Sequence, residues 1–428
     1  EQLLNQRDDL TQQFDEQVQG IEKEYRDRNI RNLDDATLAP KDFLAQAEPI
    51  VEAQPGTVLI YPLVMENRTW LLWASRGVVV KRQEVPGVGQ KQIGETVLKF
   101  RQLLQDPNSN VDELKATGKQ LYDWLIKPIE SELTANDVRN LVFSLDRATR
   151  YIPMAALFDG DQFLLERYTV STVLSAGYTD MSDRAPFTPQ NTSVLALGLS
   201  QAKDGFNSLP NVPTELDAIV RQDNVDKAGI FAGRKLLNSA FTFAALRQNL
   251  GKQRIVHIAT HGKFVPVNPN QSFLLLGDGR LEIPRIRTLQ NLRNIDLVVL
   301  SACETALGGA DQDGVEIAGI SSYFLQRGRA KAVMASLWQV NDASTSLLMR
   351  QFYKRLADTQ QSVTKAQALR QTQLQMLRGQ ITAKDASNLQ RSDIAVTLEP
   401  GTRAIQERSP NFAHPYYWAP FILIGNSL

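Results

Sequence analysis

Two side chains in this sequence have the chemistry of a nucleophile and a base: the thiol of Cys303 and the imidazole of His261. Cys303 is the only cysteine among 428 residues, and it follows the apolar, strand-like run "DLVVLSA". His261 follows a second such run, "RIVHIAT". In an open parallel sheet, functional groups collect just beyond the carboxyl ends of the strands. If these two strands are neighbours, their ends lie about 5 Å apart and the two side chains can meet.

An imidazole beside a thiol can accept its proton or stabilise the thiolate, which makes the sulfur reactive at neutral pH. Gly262 follows the histidine, and because it has no Cβ its backbone N–H can approach a substrate carbonyl oxygen. We expect this N–H and that of Cys303 to form an oxyanion hole. Such a His–Cys dyad needs neither a metal nor an organic cofactor. The alternative is that the lone cysteine is an inert small hydrophobic residue.

Other polar residues offer weaker chemistry. His257 and His261 have the spacing H-x-x-x-H, but on a strand four residues separate the two rings by roughly 13 Å, which is too far for one ion. We therefore expect no metal site and interpret His257 as a core residue. His414 precedes a proline and is interpreted as structural rather than as a third catalytic member. Ser200 in "GLSQA" is a faint match to a hydrolase nucleophile elbow, because the second glycine is missing.

The composition is that of an ordinary globular protein. Hydrophobic residues make up 43% and charged residues 22% of the chain, and 47 Lys and Arg balance 47 Asp and Glu. A nucleic-acid or membrane-surface partner normally requires an excess of basic residues, so we expect neither. One cysteine excludes a disulfide framework and a multi-cysteine metal cage. No apolar run approaches the roughly 18 to 20 residues that span a bilayer.

The length of the chain favours more than one packed unit. From Ser193 onward, short apolar strands alternate with helix-like segments, which indicates a largely parallel sheet covered by helices on both faces. Residues 57–85, 141–160 and 163–175 are predicted to form strands, with two helical segments between the first two of these ranges. Residues 380–412 are polar and are predicted to form an excursion loop, after which "YYWAPFILIG" returns as a last strand.

The first segment of the chain has a helical pattern. Its apolar residues recur at every third or fourth position, at Leu10, Phe14, Val18, Ile21 and Tyr25. This spacing predicts a helix within residues 1–31 that packs on a neighbouring element or on a partner helix. A long coiled coil is less favoured because the pattern does not persist. The chain starts at Glu1 rather than at a methionine, which predicts a fragment or a processed form.

Several separated segments resemble the CHAT family, peptidase-like domains of the caspase and separase clan. They are "HIATHG", "DLVVLSACETALGG", "AVMASLWQVND" and "HPYYWAPFILIG", joined by "YIPMAAL" and "LPNVPTELDAI". The resemblance covers roughly residues 57–428 and is specific, because the motifs occur in the right order. It implies an α/β, caspase-like sandwich with a largely parallel central sheet flanked by helices. It also implies that His261 and Cys303 form the dyad and cleave peptide bonds.

The stretch "SLWQVNDAS" resembles a separase segment in which an acid receives the basic side chain that precedes the cut. The match carries over to Asp342 as the substrate-binding acid, with Trp338 as a wall of the pocket. The alternative is that Asp342 is the N-cap of a helix that starts at Ala343, because Asp is a favoured cap. The two roles need not exclude each other.

We divide the chain into an N-terminal helix and linker (1–50), a pseudo-caspase-like β/helical half (51–190) and a catalytic caspase-like half (191–428). The sequence predicts a cysteine endopeptidase that acts on protein or peptide substrates, with a preference for cutting after basic residues. The alternative is a non-catalytic scaffold or sensor that acts by binding proteins. The family is often joined to helical repeats, so the resemblance also implies a regulatory helical-repeat domain or partner protein, of which residues 1–31 would be a remnant.

Overall fold

A long mixed sheet with helices on both faces organises the chain in the computed structural model. The structure describes residues 40–77, 81–182, 185–222, 228–265, 271–301, 303–305, 321, 323–325, 329–382, 385 and 411–428. Within these ranges, the side chains of residues 40–45, 178, 264, 287 and 303–305 are not described. The predicted helix within residues 1–31 and most of the predicted loop at 380–412 lie outside the described residues.

The large sheet has 12 strands in the order β3-β2-β1-β4-β5-β16-β15-β13-β9-β6-β8-β7. In chain order these strands are β1 Thr57–Val64, β2 Arg68–Ser75, β3 Lys81–Pro86, β4 Asn140–Phe143, β5 Thr169–Thr172, β6 Ser193–Gly198, β7 Val220–Arg221, β8 Phe231–Leu237, β9 Ile255–Ala259, β13 Leu297–Leu300, β15 Ala332–Ser336 and β16 Phe421–Gly425. Three neighbouring pairs, β1–β2, β2–β3 and β15–β16, are antiparallel, and the other eight are parallel. The predicted largely parallel sheet is confirmed.

The parallel strands form two blocks that run in opposite directions. The first block consists of β1, β4, β5 and β16, and the second block consists of β15, β13, β9, β6, β8 and β7. The blocks meet at the antiparallel pair β15–β16. β16 pairs with β5 on its other side, where the Thr172 hydroxyl donates to the carbonyl oxygen of Leu423 at 3.1 Å. The domain boundaries at residues 50 and 190 stay predictions.

A smaller sheet continues from the large one. Its strands are β10 Gly262–Phe264, β11 Phe273–Leu276, β12 Gly279–Glu282 and β14 Cys303–Thr305. Their order is β12-β11-β10-β14. Because β10 follows β9 and β14 follows β13 along the chain, two neighbouring strands of the large sheet feed directly into the small one.

Helices cover both faces of the large sheet. In the described part of the chain they are α1 Pro40–Ala53, α2 Gln90–Gln105, α3 Val111–Leu125, α4 Glu130–Ala135, α5 Leu164–Arg167, α6 Val212–Ile219, α7 Phe243–Asn249, α8 Asp342–Leu356, α9 Lys365–Leu377 and α10 Pro415–Trp418. Alternate residues of β6 enter different cores: Val194 and Ala196 pack in one, Leu195 and Leu197 in the other. This alternation explains why the central strands are apolar throughout, since both faces are buried. The layers confirm the predicted α/β sandwich.

The prediction of strand over 141–160 is mostly wrong. Only Asn140–Phe143 is a strand, and short 3₁₀ helices follow at Arg147–Tyr151 and Met154–Ala156. The Thr149 hydroxyl exchanges hydrogen bonds with the backbone of Asp146, accepting from its N–H at 3.0 Å and donating to its carbonyl. Such local side-chain bonds offer the backbone an alternative to strand pairing.

The strand predicted over 163–175 begins later than expected. Leu164–Arg167 forms a helical turn, and only Thr169–Thr172 is strand. The Glu166 carboxylate accepts from the Phe163 N–H at 2.9 Å and so caps this turn. A capping interaction of this kind favours a helical start over an extended chain.

Helix α6 lies unusually close to strand β6 at Gly198. A Cβ built on this glycine would lie 2.5 Å from Cγ1 of Val212 and 3.0 Å from Cδ1 of Leu216. Both partners are buried residues of α6, so a side chain here would push the helix away from the sheet. The absence of a Cβ at position 198 therefore sets the distance between α6 and β6.

We predict that Gly198→Ala lowers the free energy of unfolding by about 1–3 kcal/mol, the usual cost of overpacking a core. Gly251→Ala is the matched control, because the nearest heavy atom to its Cβ would be 3.8 Å away. Chemical denaturation of the three proteins measures the difference. Equal midpoints for the two variants would contradict the close approach of α6.

Candidate active site

The segment between β6 and α6 contains a tight turn. Lys203 and Phe206 exchange backbone hydrogen bonds of 3.2 and 2.9 Å. Between them, Asp204 and Gly205 have positive φ angles of 52° and 85°. Two consecutive positive φ angles indicate a type I′ turn, for which Asp-Gly is a favoured pair. The turn presents Phe206 to the histidine that follows β9.

His261 is held on two sides by this segment and is only 5% exposed. Its ring stacks on Phe206, with centroids 5.0 Å apart and planes at 30°. Its Nε2 lies 2.8 Å from the backbone oxygen of Asn207. Since a carbonyl oxygen can only accept, we assign the ring proton to Nε2, which leaves the lone pair of the neutral ring on Nδ1. The contact therefore selects the tautomer in which Nδ1 can accept a proton.

The strand neighbours assumed from the sequence are present. β9 and β13 pair in parallel with Ile258 opposite Leu300, and beyond them β10 and β14 pair in parallel with Gly262 opposite Cys303. The chain advances four residues from Ile258 to Gly262 but only three from Leu300 to Cys303. We call this interruption in the pairing of the two strands the break. His261 lies in the break, directly before the residue that faces Cys303. The Cys303 side chain lies outside the described residues, so the dyad stays a prediction.

The backbone N–H of Gly262 points toward the strand that contains Cys303. The N–H of Leu275 donates to the carbonyl of His261 at 2.9 Å, while Gly262 is opposite Leu274. Gly262 and Leu274 are therefore a non-hydrogen-bonded antiparallel pair, and the Gly262 N–H is directed away from β11. On that side β10 pairs with β14, and the oxyanion hole with the Cys303 N–H stays a prediction.

Asp342 is the first residue of α8, and the N-cap is its neighbour Asn341, whose side chain accepts from the N–H of Ser344 at 3.0 Å. The alternative of Asp342 as the N-cap is therefore wrong. Its Oδ2 instead accepts from the backbone N–H of Asn211 at 2.8 Å and from the Asn211 side chain at 2.7 Å. Asn211 directly precedes α6, so this carboxylate joins the starts of two helices.

Burial raises the pKa of Asp342, and the negative charge of Glu215 raises it further. The hydrogen bonds from Asn211 and the nearby His261 act in the opposite direction on the same pKa without cancelling the rise. Both hydrogen bonds reach Oδ2, and within the described part of the chain none reaches Oδ1. One carboxylate oxygen is thus fixed, while the other has no bond to any described residue.

Trp338 lies in the connection between β15 and α8. The residue is 3% exposed, and its indole N–H donates to the carbonyl of Tyr416 at 3.3 Å. Its ring belongs to the core on the face of the sheet that α8 covers. Its part as a pocket wall stays a prediction.

The other histidines and Ser200 have structural partners. His257 is completely buried and hydrogen-bonded at both ring nitrogens, as expected of a core residue. His414 is the N-cap of α10, with Nδ1 accepting from the Tyr416 N–H at 3.1 Å. The Ser200 hydroxyl donates to Asn238 at 3.1 Å.

Among the residues that the structure describes, no group of three or more His, Cys, Asp or Glu side chains is arranged to hold a metal ion. A search of the same residues finds no helix with the length and apolar character that crossing a membrane requires.

Sequence reasoning missed three residues that contact the predicted site: Phe206, Asn207 and Asn211. The only local signal was "KDGF", whose Asp-Gly pair is typical of a tight hairpin turn. Asn207 acts through its backbone oxygen, which every residue type possesses, so no residue identity could have indicated it.

The comparisons with known proteins agree with this architecture. The CHAT domain profile matches residues 115–426, which is more than half of the chain, so the chain belongs to the CHAT domain family. The fold is that of a caspase-like cysteine peptidase, as the sequence motifs implied. A comparison with curated protein sequences finds no match.

Two solved structures of the Saccharomyces cerevisiae separase–securin complex are similar. The 3.0 Å structure has a TM-score of 0.52 at 8% identity, covering 89% of this chain and 30% of the matched chain. The 2.6 Å structure has a TM-score of 0.49 at 9% identity, covering 91% and 31%. The Arg specific cysteine proteinase gingipain R has a TM-score of 0.40 at 10% identity, covering 78% and 74%. The chain thus spans less than a third of the matched separase chain, and at such identities likeness extends to the fold alone.

We predict that His414 makes stability sensitive to acid. Burial lowers the pKa of His414 below its ordinary value of 6.5. As the pH falls, the unfolded chain binds a proton at this position before the folded chain does, so the free energy of unfolding decreases. His414→Asn keeps an N-cap acceptor and removes the titration. Its thermal midpoint should therefore fall less than that of the wild type between about pH 7.5 and about pH 5.

The comparison is made by calorimetry at several pH values. Identical pH dependence in both proteins would contradict the lowered pKa. Retention of peptide cleavage by His414→Asn is expected if this residue acts only as a cap.

Proposed function

We propose that this CHAT domain is a cysteine endopeptidase in which Cys303 is the nucleophile and His261 the general base. The observation that carries the proposal is the position of His261. Its Nε2–H is fixed on the Asn207 carbonyl, and the backbone of the next residue faces that of the only cysteine in the chain. A base oriented by a third group and adjacent to a thiol is the arrangement that nucleophilic catalysis requires.

The reaction proceeds in two halves. Nδ1 of His261 takes the thiol proton, and the sulfur of Cys303 forms a bond to the scissile carbonyl carbon. The imidazolium then gives the proton to the amide nitrogen as the C–N bond breaks, which leaves a thioester. In the second half, Nδ1 takes a proton from water, the resulting hydroxide attacks the thioester, and the acid product leaves as the sulfur regains its proton.

The negative oxygen of each tetrahedral intermediate needs donors that are already in place. We propose the backbone N–H groups of Gly262 and Cys303 for this purpose, supported by the pairing of these two residues in neighbouring strands. No metal or organic cofactor enters these steps.

A regulator of peptidase activity is part of the proposal. The separase structures of similar fold are complexes with securin. For this chain, we propose that activity responds to a partner protein or to a helical-repeat domain. Peptide cleavage is therefore measured with and without a candidate regulatory protein.

Iodoacetamide should alkylate Cys303, and His261→Asn should slow this reaction at neutral pH, because less thiolate forms without the base. Alkaline pH should restore the rate. Cys303→Ala and His261→Ala should each lower peptide cleavage by at least about a hundredfold. Intact-mass spectrometry measures the labelling, and a peptide library measures the cleavage.

Ser200→Ala is the control, because its hydroxyl is bound to Asn238 and takes no part in the proposed steps. It should cleave as the wild type does. Full activity in either dyad variant would refute the assignment. If the wild type cleaves no library peptide even with a candidate regulator present, the alternative of a protein-binding scaffold is the better account.

We propose that Asp342 binds the basic side chain that precedes the cut. Support comes from its carboxylate, of which Asn211 holds Oδ2. A partly buried carboxylate attracts a guanidinium or ammonium group more strongly than an exposed one does, because water screens the charge less. Trp338 would contribute its buried ring to the same region.

Asp342→Asn should lower kcat/KM for peptides cut after Arg or Lys by about thirtyfold or more, since the substrate cation loses its partner. Peptides with an uncharged residue before the cut should be affected much less. Asp217→Asn on the exposed side of α6 is the control, and it should change neither class of peptide. A library in which the wild type prefers acidic residues would remove the pocket and leave the dyad intact.

A further inference from the structure

Three buried polar side chains on three elements form a hydrogen-bonded chain that the proposed chemistry does not use. Nε2 of His257 on β9 lies 2.7 Å from Oε1 of Glu215 on α6. Its Nδ1 lies 3.1 Å from the hydroxyl of Tyr353 on α8. The exposed fractions of Glu215, His257 and Tyr353 are 1%, 0% and 0%. These hydrogen bonds link the sheet to α6 and to α8.

A buried set of hydrogen-bonded polar side chains contributes little to the free energy of unfolding. Burying a carboxylate and an imidazole costs solvation energy, and apolar side chains of similar size often stabilise a core as well or better. What hydrogen bonds add is direction: they specify how each helix is placed along and around its axis. Apolar packing through Gly198 sets only how close α6 lies to the sheet.

Helix α6 is the element whose placement affects the predicted site. The Glu215 N–H donates to the carbonyl of Asn211 at 2.9 Å, so the two residues lie one helical turn apart. Asn211 binds Asp342, and Asn207, in the connection that leads into α6, accepts from the ring of His261. A slide or rotation of α6 would move both contacts together.

We propose that Glu215, His257 and Tyr353 are positioning residues: they lock α6 so that Asn207 fixes the tautomer of His261 and Asn211 fixes the carboxylate of Asp342. This inference rests on the proposed peptidase function for its consequence in catalysis. Its structural part, the control of the His261 tautomer, can be measured without any activity.

The first test replaces the three hydrogen-bonded side chains by apolar residues of similar shape, in the triple variant Glu215→Met, His257→Leu, Tyr353→Phe. The triple variant should unfold at a temperature near that of the wild type, because no buried charge is left unpaired. Its kcat/KM should nevertheless fall by about tenfold to a hundredfold, since small displacements of catalytic groups are costly. Unchanged kcat/KM in a folded triple variant would overturn the proposal.

Single variants separate position from stability. Glu215→Gln keeps an acceptor for the Nε2–H of His257 and should retain most activity, whereas Glu215→Met should not. If the triple variant fails to fold, Tyr353→Phe, which removes one hydroxyl, should still lower kcat more than it changes KM. The control is Glu130→Gln on α4, a carboxylate bonded to Tyr122 and Arg167, which should reduce stability without changing kcat/KM.

The second test reads the tautomer directly by ¹⁵N NMR of the histidine rings. The chain has three histidines, so single variants assign them. His261 should show the Nε2–H form in the wild type and an average of both tautomers in the triple variant. A persistent Nε2–H form would overturn the proposal. If the wild type cleaves no peptide but the tautomer changes as expected, the proposed function fails and the positioning stands.

Discussion

The candidate site depends on how two neighbouring strands leave the large sheet. β9 and β13 are paired up to Ile258 and Leu300, and their continuations pair again at Gly262 and Cys303, with one more residue on the histidine side. An extra residue in one strand of a pair acts as a bulge, which redirects the side chains that follow it. Without it, His261 itself would be opposite Cys303 in the ladder. With it, the ring of His261 stacks on Phe206 and bonds to Asn207, and the flexible glycine takes the place beside the cysteine.

The contacts around this break come from one short segment. Between β6 and α6, the Asp-Gly turn presents Phe206, the backbone of Asn207 holds the ring proton of His261, and Asn211 holds Asp342. These are directional contacts made by an exposed loop, which on its own would be mobile. The buried hydrogen bonds of His257 with Glu215 and Tyr353 supply the rigidity that the loop lacks. In this proposal, the buried hydrogen bonds orient the contacts that the loop makes with His261 and Asp342.

Much of the second block could be predicted from sequence, because β6, β9 and β13 are apolar on both faces and buried strands have few other interpretations. The segments after β4 and before β5 were mispredicted because Thr149 and Glu166 bond to nearby backbone and favour turns. In the predicted site, His261 was indicated by its residue type and its place after a strand, and Asp342 only by the resemblance of its segment to separase. The Asn207 carbonyl and the one-residue offset were not, since both are properties of the backbone and depend on the register of strands far apart in sequence.

The order of strands explains why the predicted groups gather at one edge. In the sheet the neighbours run β15, β13, β9 and β6, all parallel, and the segments that follow them contain Asp342, Cys303, His261 and Asn207 in the same order. Parallel strands end at a common edge, so four consecutive connections each contribute one group. The first block runs the other way, and its strands end at the opposite edge. It reaches the site by another path: the buried guanidinium of Arg101 on α2 donates to the carbonyl of Leu337, at the start of the connection that leads to Asp342. This hydrogen bond links a helix that follows the first strands of the chain to the connection that contains Asp342.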